Sequence, residues 1–569
     1  MKNYIVYIVC VFFTMHVSCQ VAIEKNINSK NIEKQIDSIF QKYNNSKTPG
    51  IAIGVVKKGE LIFSKEYGMA NLGYDIPVSD STVFTLCSVS KQFTVLGLML
   101  LVEKDLISLN DDIRKYVPEL PNYGHIITLR HLANNTSGLR SNLQLLGLKG
   151  YTADDMITQN TVDQVIFRQK ELNFIPGDEY NYSNSGFILL AKVIEKVSGK
   201  PFSSYIKENI FIPLGMHNSF VMDNYQKIVK NKAHSYGLGE DKSFVFSPSN
   251  YSYVGASGIY TTLEDFSKWA ANFDSIKVGS QDIFDQMNTK GVLNNGKESF
   301  YALGQIVQDY HGLKRIWHSG GDAGYRSYIG RFPDQETTII LLSNNASVYA
   351  EGEALKVANL FLKPFFNKSE TKIKQENQKL RFINLSLKQK EKLTGSYLSK
   401  NYEIIRNIQI QNDTLFYVRP NQGNRKSELK PINATKFVLG TNKDVQVSFK
   451  DKQTLKVLVN NEEVESYYKY VPKVYTTEDL QEFTGKYYCD ELEIIYELKV
   501  ENNNLIIYNS KIGTIKINSL KEDVFIGTSW IFNSLVFERS KNKSVILGFR
   551  VSGQRVKNMY FKKLKKTSL

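Results

Sequence analysis

At 569 residues the chain is too long for one hydrophobic core, and a prior of about 150 residues per domain implies two to four domains. A composition of 42% hydrophobic and 23% charged residues excludes a disordered chain. The net charge of +15 could draw the protein to nucleic acid, anionic lipid or an acidic cell wall. Its lysines are scattered, however, which favours plain solubility, and the one tight cluster is Lys562, Lys563, Lys565 and Lys566. No zinc-finger spacing or RNP-like motif is present, so nucleic acid is not an expected partner.

The N-terminus reads as an export address. Met1-Lys2 precedes an apolar run from Tyr4 to Met15, shorter than a membrane-spanning helix needs. Cleavage before Gln20 would place Val17 and Cys19 at the recognition positions. The alternative is lipid attachment at Cys19, which His16 disfavours because it stands where lipoprotein signals prefer Leu. The expected location is therefore periplasmic or cell-surface, with no transmembrane segment in the mature chain. Outside the leader only Cys87 and Cys489 remain, too distant in sequence to suggest a disulfide framework.

Ala22 to about Ile39 is expected to be helical. Ile51–Val56 and Leu61–Phe63 flank a Lys57-Lys58-Gly59-Glu60 turn and predict a β-hairpin. From Ser88 to about Leu106 apolar residues fall on nearly every face, which predicts a buried helix. A helical and loop-rich stretch follows to about Asn272. Tyr325–Arg331 and Thr337–Ser343 read as strands around a Phe332-Pro333-Asp334-Gln335 turn, and Val348 to Leu362 as a helix. Strands at both ends with helices between them predict an α+β domain, one antiparallel sheet covered by helices.

Residues 367–390 shift to Lys, Gln, Glu and Asn and read as a linker. Beyond it short alternating strands dominate, and Leu393-Thr394-Gly395-Ser396-Tyr397 recurs as Phe483-Thr484-Gly485-Lys486-Tyr487, 90 residues later. Two repeated all-β units predict two small barrels, which remove strand edges by closure. The expected organisation is a leader at 1–19, an α+β domain at 20–366, the linker, and barrel-like domains at 391–475 and 476–569.

Three short motifs carry chemistry. In Ser88-Val89-Ser90-Lys91 the two ends of a Ser-x-x-Lys share one helical face, which sets an amine beside a hydroxyl that is a poor nucleophile until its proton is taken. The spacing alone is weak, since it recurs at Ser204–Lys207, Ser369–Lys372 and Ser466–Lys469. Tyr182-Ser183-Asn184 follows Pro176-Gly177 and precedes an apolar helix, so it is expected on a loop, where it is either a reactive phenol or an aromatic plug. His318-Ser319-Gly320-Gly321 is expected just before the paired strands, where small residues let a substrate backbone lie close. The N–H groups of Gly321 and Ser88 could together form an oxyanion hole. No His-Glu-x-x-His, Gly-x-Ser-x-Gly or phosphate-binding Gly loop is present, and no metal or cofactor is expected.

In order, Ser-x-x-Lys, Tyr-x-Asn and His-x-Gly resemble the signatures of the serine β-lactamase and penicillin-binding protein superfamily, in its class C β-lactamase-related branch. Phe84–Ser88, Leu129–Leu139, and Gly255–Thr262 with Glu264-Asp265 are similar to further family segments, and the resemblance spans roughly residues 35–362. It implies an acyl-transfer mechanism with Ser88 as nucleophile, Lys91 and Tyr182 as proton carriers, and Asn184, His318, Ser319 and Gly320 as substrate contacts. His318 stands where many β-lactamases and carboxypeptidases carry Lys, and His is only partly charged near neutral pH. With the barrels, this resembles D-aminopeptidases and esterases and implies small peptide, amide or ester substrates. A non-catalytic binding or sensor protein, and a β-lactamase or D-Ala-D-Ala carboxypeptidase, are the alternatives. One barrel is expected to send a loop over the cleft and restrict substrate size.

Overall fold

The computed structural model describes residues 30–367 and 380–565, apart from 401, 403, 421–423, 441, 460 and 461. The leader, most of the linker and the Ser369–Lys372 motif lie outside the described residues. The chain forms two compact units. One comprises the residues up to Glu103 with Ser198–Thr289 and Gly304–Phe366. The other comprises Lys104–Val197, Lys290–Leu303 and the chain from Asn367 onward.

The first unit is built on a six-stranded antiparallel sheet. Its strands are β1 (Ile51–Lys57), β2 (Glu60–Tyr67), β3 (Ile306–Tyr310), β4 (Leu313–Asp322), β5 (Tyr325–Phe332) and β6 (Thr337–Ser343), in the spatial order β3-β4-β5-β6-β1-β2. The first and last strands in sequence, β1 and β6, are neighbours at its centre, so the sheet closes only when both ends of the unit have met. Both are buried on both faces, which is why their sequences are almost continuously apolar rather than alternating. Ile51, Ile53, Val55, Ile339 and Leu341 pack with Ile36 and Phe40 of the helix at 30–40 and with Ala354 and Val357 of the helix Ala350–Leu362. The helix Leu263–Ala271 packs against β1, β2 and β6. The helix Ser90–Glu103 is buried from Ser90 to Leu101, with Phe93 stacked on Trp269 at 3.8 Å.

Two local boundaries differ from the sequence expectation. The predicted helix from Ser88 starts at Ser90, because Cys87–Val89 forms a 3₁₀ turn. His318–Gly321 does not precede the paired strands; it lies inside β4.

The second unit contains the helices Asn142–Leu148, Gln159–Phe167 and Asn184–Ser198, followed by two closed eight-stranded antiparallel barrels. The first barrel runs from Gly395–Ser399 to Glu462–Tyr470 and the second from Gly485–Cys489 to Met559–Lys563, and in each the first strand pairs with the last. The fold is thus α+β followed by two barrels. The sequence repeat is the barrels' entry: Tyr397 donates to the Leu393 carbonyl at 2.9 Å and Tyr487 to the Phe483 carbonyl at 2.7 Å. A capped helical turn precedes each, Leu387–Glu391 behind Ser386 and Thr477–Gln481 behind Thr476, both with the reciprocal capping box. Cys87 and Cys489 are buried free thiols.

Candidate active site

Ser88 sits at a backbone turn made to present it. Cys87 has φ +48°, a left-handed conformation that is uncommon for a residue with a side chain. Its N–H is held by Thr85 Oγ1 at 3.1 Å. From Thr82 to Leu101 every residue but Ser88 is buried. Lys91 is fully buried, and its Nζ lies 3.2 Å from Ser88 Oγ and 2.7 Å from the Ala256 carbonyl. The segment around Ala256 steadies the whole turn. Thr94 Oγ1 donates to the Gly255 carbonyl at 2.7 Å, the Ile259 N–H donates to Ser90 Oγ at 3.2 Å, and the Leu86 N–H donates to the Ile259 carbonyl at 2.8 Å.

Two of the Ser-x-x-Lys pairs named above sit differently. Lys207 is exposed on a helix, and Lys469 lies over the Tyr397 ring of the first barrel.

Strand β4 passes directly beside the Ser88 turn. A Cβ placed on Gly320 would come 2.5 Å from the Leu86 carbonyl, 2.8 Å from Cys87 Cβ and 2.3 Å from Ser327 Oγ, so only glycine fits there. Ser327 Oγ in turn donates to the Leu86 carbonyl at 2.6 Å. Strand β3 pairs with β4 only as far as Trp317. From His318 to Asp322, β4 is paired with β5 on one side, and among the described residues no strand covers the other. Ser319 is half-buried and Gly321 exposed along that edge.

His318 is 3% exposed. Burial, aided by the charge of Lys91, pushes its imidazole down to about 3, so it is neutral at neutral pH. Its Nδ1 lies 2.6 Å from the Ser319 carbonyl. In the neutral ring that contact makes Nδ1 the donor and Nε2 the unprotonated nitrogen. The partial charge expected from sequence is therefore absent, because that expectation used the unperturbed value of an exposed imidazole. Asp322, at the end of the same strand, accepts from Ser249 Oγ at 3.0 Å, and burial raises its carboxyl to about 6.

Tyr182 and Asn184 belong to the second unit. Tyr182 is on a loop as expected, whereas Asn184 is the first residue of the helix Asn184–Ser198. The loop is clamped by Asn135, whose own φ is +61°. The Asn181 N–H donates to the Asn135 carbonyl, and the Ser183 N–H donates to Asn135 Oδ1, both at 2.9 Å. The Tyr182 ring meets Tyr301 edge-on at 6.1 Å between centroids. The Asn184 N–H donates to Ser141 Oγ at 3.3 Å. Its side-chain oxygen Oδ1 is buried without a hydrogen-bond partner, a costly state unless a ligand N–H completes it.

Asn135 and Ala256 are positioning residues that motif reading passed over. Asn135 had one legible signal, being a residue type that tolerates left-handed backbone. Ala256 lies in the family-like segment Gly255–Thr262, but no side-chain pattern marks its role, because it acts through its carbonyl. Among the described residues no cluster of three or more His, Cys, Asp or Glu side chains could hold a metal ion, and no helix is long and apolar enough to cross a membrane.

Residues 36–360 match the family model described as Beta-lactamase. The chain is 27% identical over 431 residues to Penicillin-binding protein 4* of Bacillus subtilis (strain 168), covering 72% of this chain and 92% of that protein. It is 26% identical over 313 residues to a D-aminopeptidase of Cereibacter sphaeroides, covering 55% of this chain and 60% of the relative's length. Among solved structures it resembles the octameric penicillin-binding protein homologue from Pyrococcus abyssi, with a TM-score of 0.54 at 23% identity, covering 78% of this chain and all of that one. At that identity the likeness is one of fold.

Proposed function

The chain belongs to the Beta-lactamase family, and from that premise we propose that it is an exported serine hydrolase that opens peptide, amide or ester bonds through an acyl-enzyme on Ser88. The observation that carries this reading is the buried Lys91 Nζ at 3.2 Å from the one accessible side chain of its turn. A hydroxyl so placed gains a local proton acceptor without exposure of that acceptor to water.

In this reading Ser88 Oγ attacks the substrate carbonyl while its proton passes to the unprotonated member of the Lys91 and Tyr182 pair, the free amine or the phenolate, and is then returned to the leaving amine or alcohol. The open edge of β4 receives the substrate backbone, as an extended peptide adds to a sheet edge. The N–H groups of Ser88 and Gly321 hold the developing oxyanion. Asn184 Oδ1, buried and unpartnered, accepts a substrate N–H. Water then attacks the acyl-enzyme and frees the second product.

The neutral His318 supports D-aminopeptidase-like or esterase-like chemistry over strong β-lactamase or carboxypeptidase activity. A Lys at that place would offer a substrate carboxylate a full charge, and the imidazole offers none. His318→Lys is expected to shift kcat/KM toward substrates with a free carboxylate by about tenfold, the worth of about 1.4 kcal/mol. An unchanged ratio would mean that the side chain does not meet the substrate.

The direct test is intact-mass labelling with a fluorophosphonate and with a penicillin, on the wild type and on Ser88→Ala. The expected result is a wild-type adduct that vanishes in the variant, with the fluorophosphonate reacting faster. Absence of any adduct on folded protein would overturn the hydrolase reading in favour of a binding protein.

A further inference from the structure

The connection between the last two strands of the second barrel, Gly553 to Asn558, is fastened to the segment that carries Tyr182. The Arg555 N–H donates to Gln144 Oε1 at 2.8 Å, and the Arg555 carbonyl accepts from the Ser141 N–H and from Asn173 Nδ2, each at 3.1 Å. Asn181 Nδ2 donates to the Gln554 carbonyl at 2.8 Å, and the Lys557 N–H donates to Asn173 Oδ1 at 2.7 Å. Val556 is fully buried. A loop held through its main chain at so many points aims its side chains in fixed directions.

The two cations of this loop differ. Lys557 is ion-paired with Glu179 at 2.8 Å. Arg555 is half-exposed, and its guanidinium lies over the Tyr182 ring, 4.8 Å from the centroid. Among the described residues no carboxylate lies within ion-pair distance of it. The backbone bonds already fasten the loop, so the guanidinium is not needed for that purpose. What it offers is a planar fork of donors suited to a carboxylate. Two residues from Tyr182, Asn184 Oδ1 waits for an N–H.

We propose that Arg555 is a specificity-determining residue that binds an anionic group of the substrate, so that the protein selects N-acyl amino acids, peptides or esters with a free carboxylate and rejects those that present an ammonium there. The proposal rests on the reading of Tyr182 and Asn184 as part of the reaction centre. Within the proposed peptide, amide and ester chemistry it selects the esterase and N-acyl-peptide side and excludes a D-aminopeptidase, whose substrate carries a free amine that a guanidinium at this point repels.

The test has two arms. In the first, kcat/KM is measured for nitrophenyl acetate and for nitrophenyl hemiglutarate, its carboxylate-bearing analogue, with wild type, Arg555→Gln and Arg555→Glu. Arg555→Gln is expected to lose about tenfold or more on the hemiglutarate and less than about threefold on the acetate, with Arg555→Glu reversing the preference. Equal losses on both esters, or no loss on either, would overturn the proposal while leaving the Ser88 chemistry intact.

In the second arm, binding of N-acetylalanine and of its neutral amide is measured by calorimetry on Ser88→Ala, with and without Arg555→Gln. A preference for the acid of about tenfold that disappears with Arg555 supports the anion site even if Ser88 proves unreactive. Equal binding of acid and amide would overturn it.

Discussion

The two barrels share an entry and a topology, yet they differ in what their loops do. Both begin with a capped turn, a Tyr hydroxyl returning to a carbonyl four residues back, and a first strand that closes on the eighth. The second barrel is also bound to the helical segment of its own unit. Arg140, fully buried, donates to Glu491 Oε2 at 2.8 Å, to Gln169 Oε1 at 3.1 Å and to the Lys557 carbonyl. Tyr496 donates to the Leu148 carbonyl at 3.0 Å, and Lys170 pairs with Asp490. The ion pairs of the first barrel, such as Lys456 with Glu463, stay on its own surface. A repeated closed sheet is therefore a scaffold, and its loops are free to diverge because closure does not depend on them.

The largest expected effect breaks the contact that distinguishes the second barrel. Glu491→Ala leaves the buried Arg140 guanidinium with only the more distant, half-exposed Glu171 as a carboxylate partner, at 3.5 Å, and should cost about 3 kcal/mol in urea unfolding. The corresponding change in the first barrel, Lys456→Ala, removes a partly exposed pair and should cost about 0–1 kcal/mol. Similar losses in both would mean that the second barrel is no more embedded than the first.

A smaller effect tests what the barrels share. Tyr397→Phe and Tyr487→Phe each remove one buried hydrogen bond and should each cost about 1 kcal/mol by the same measurement. A difference of more than about 1 kcal/mol between them would show that the repeated Tyr has taken on different roles in the two copies.

The parts of this protein that could be read in the sequence are those whose causes are local. The Ser88–Lys91 approach follows from three-residue spacing near a helix start, and the repeated Leu/Phe-Thr-Gly-x-Tyr follows from a turn that closes on itself within five residues. The apolar runs of β1 and β6 announced buried strands. Even there the 3₁₀ turn at Cys87–Val89 leaves no mark in the sequence, because its left-handed Cys87 is held by Thr85 and by the neighbouring strand rather than by propensity.

Long-range partners were not legible. The Ala256 carbonyl on Lys91, Asn135 holding the Tyr182 loop, and Arg555 on the Tyr182 ring join residues that nothing in a local pattern links. The charge of His318 was misjudged for the same reason, since burial and Lys91 depress it and neither is visible from its neighbours in sequence. The amino-acid sequence by itself determined the element types, the family signatures and the barrel repeat, because periodicity and short spacing act over a few residues. Only the tertiary structure decided which carbonyls, amides and cations surround the candidate site, because those contacts exist only after segments tens to hundreds of residues apart have packed together.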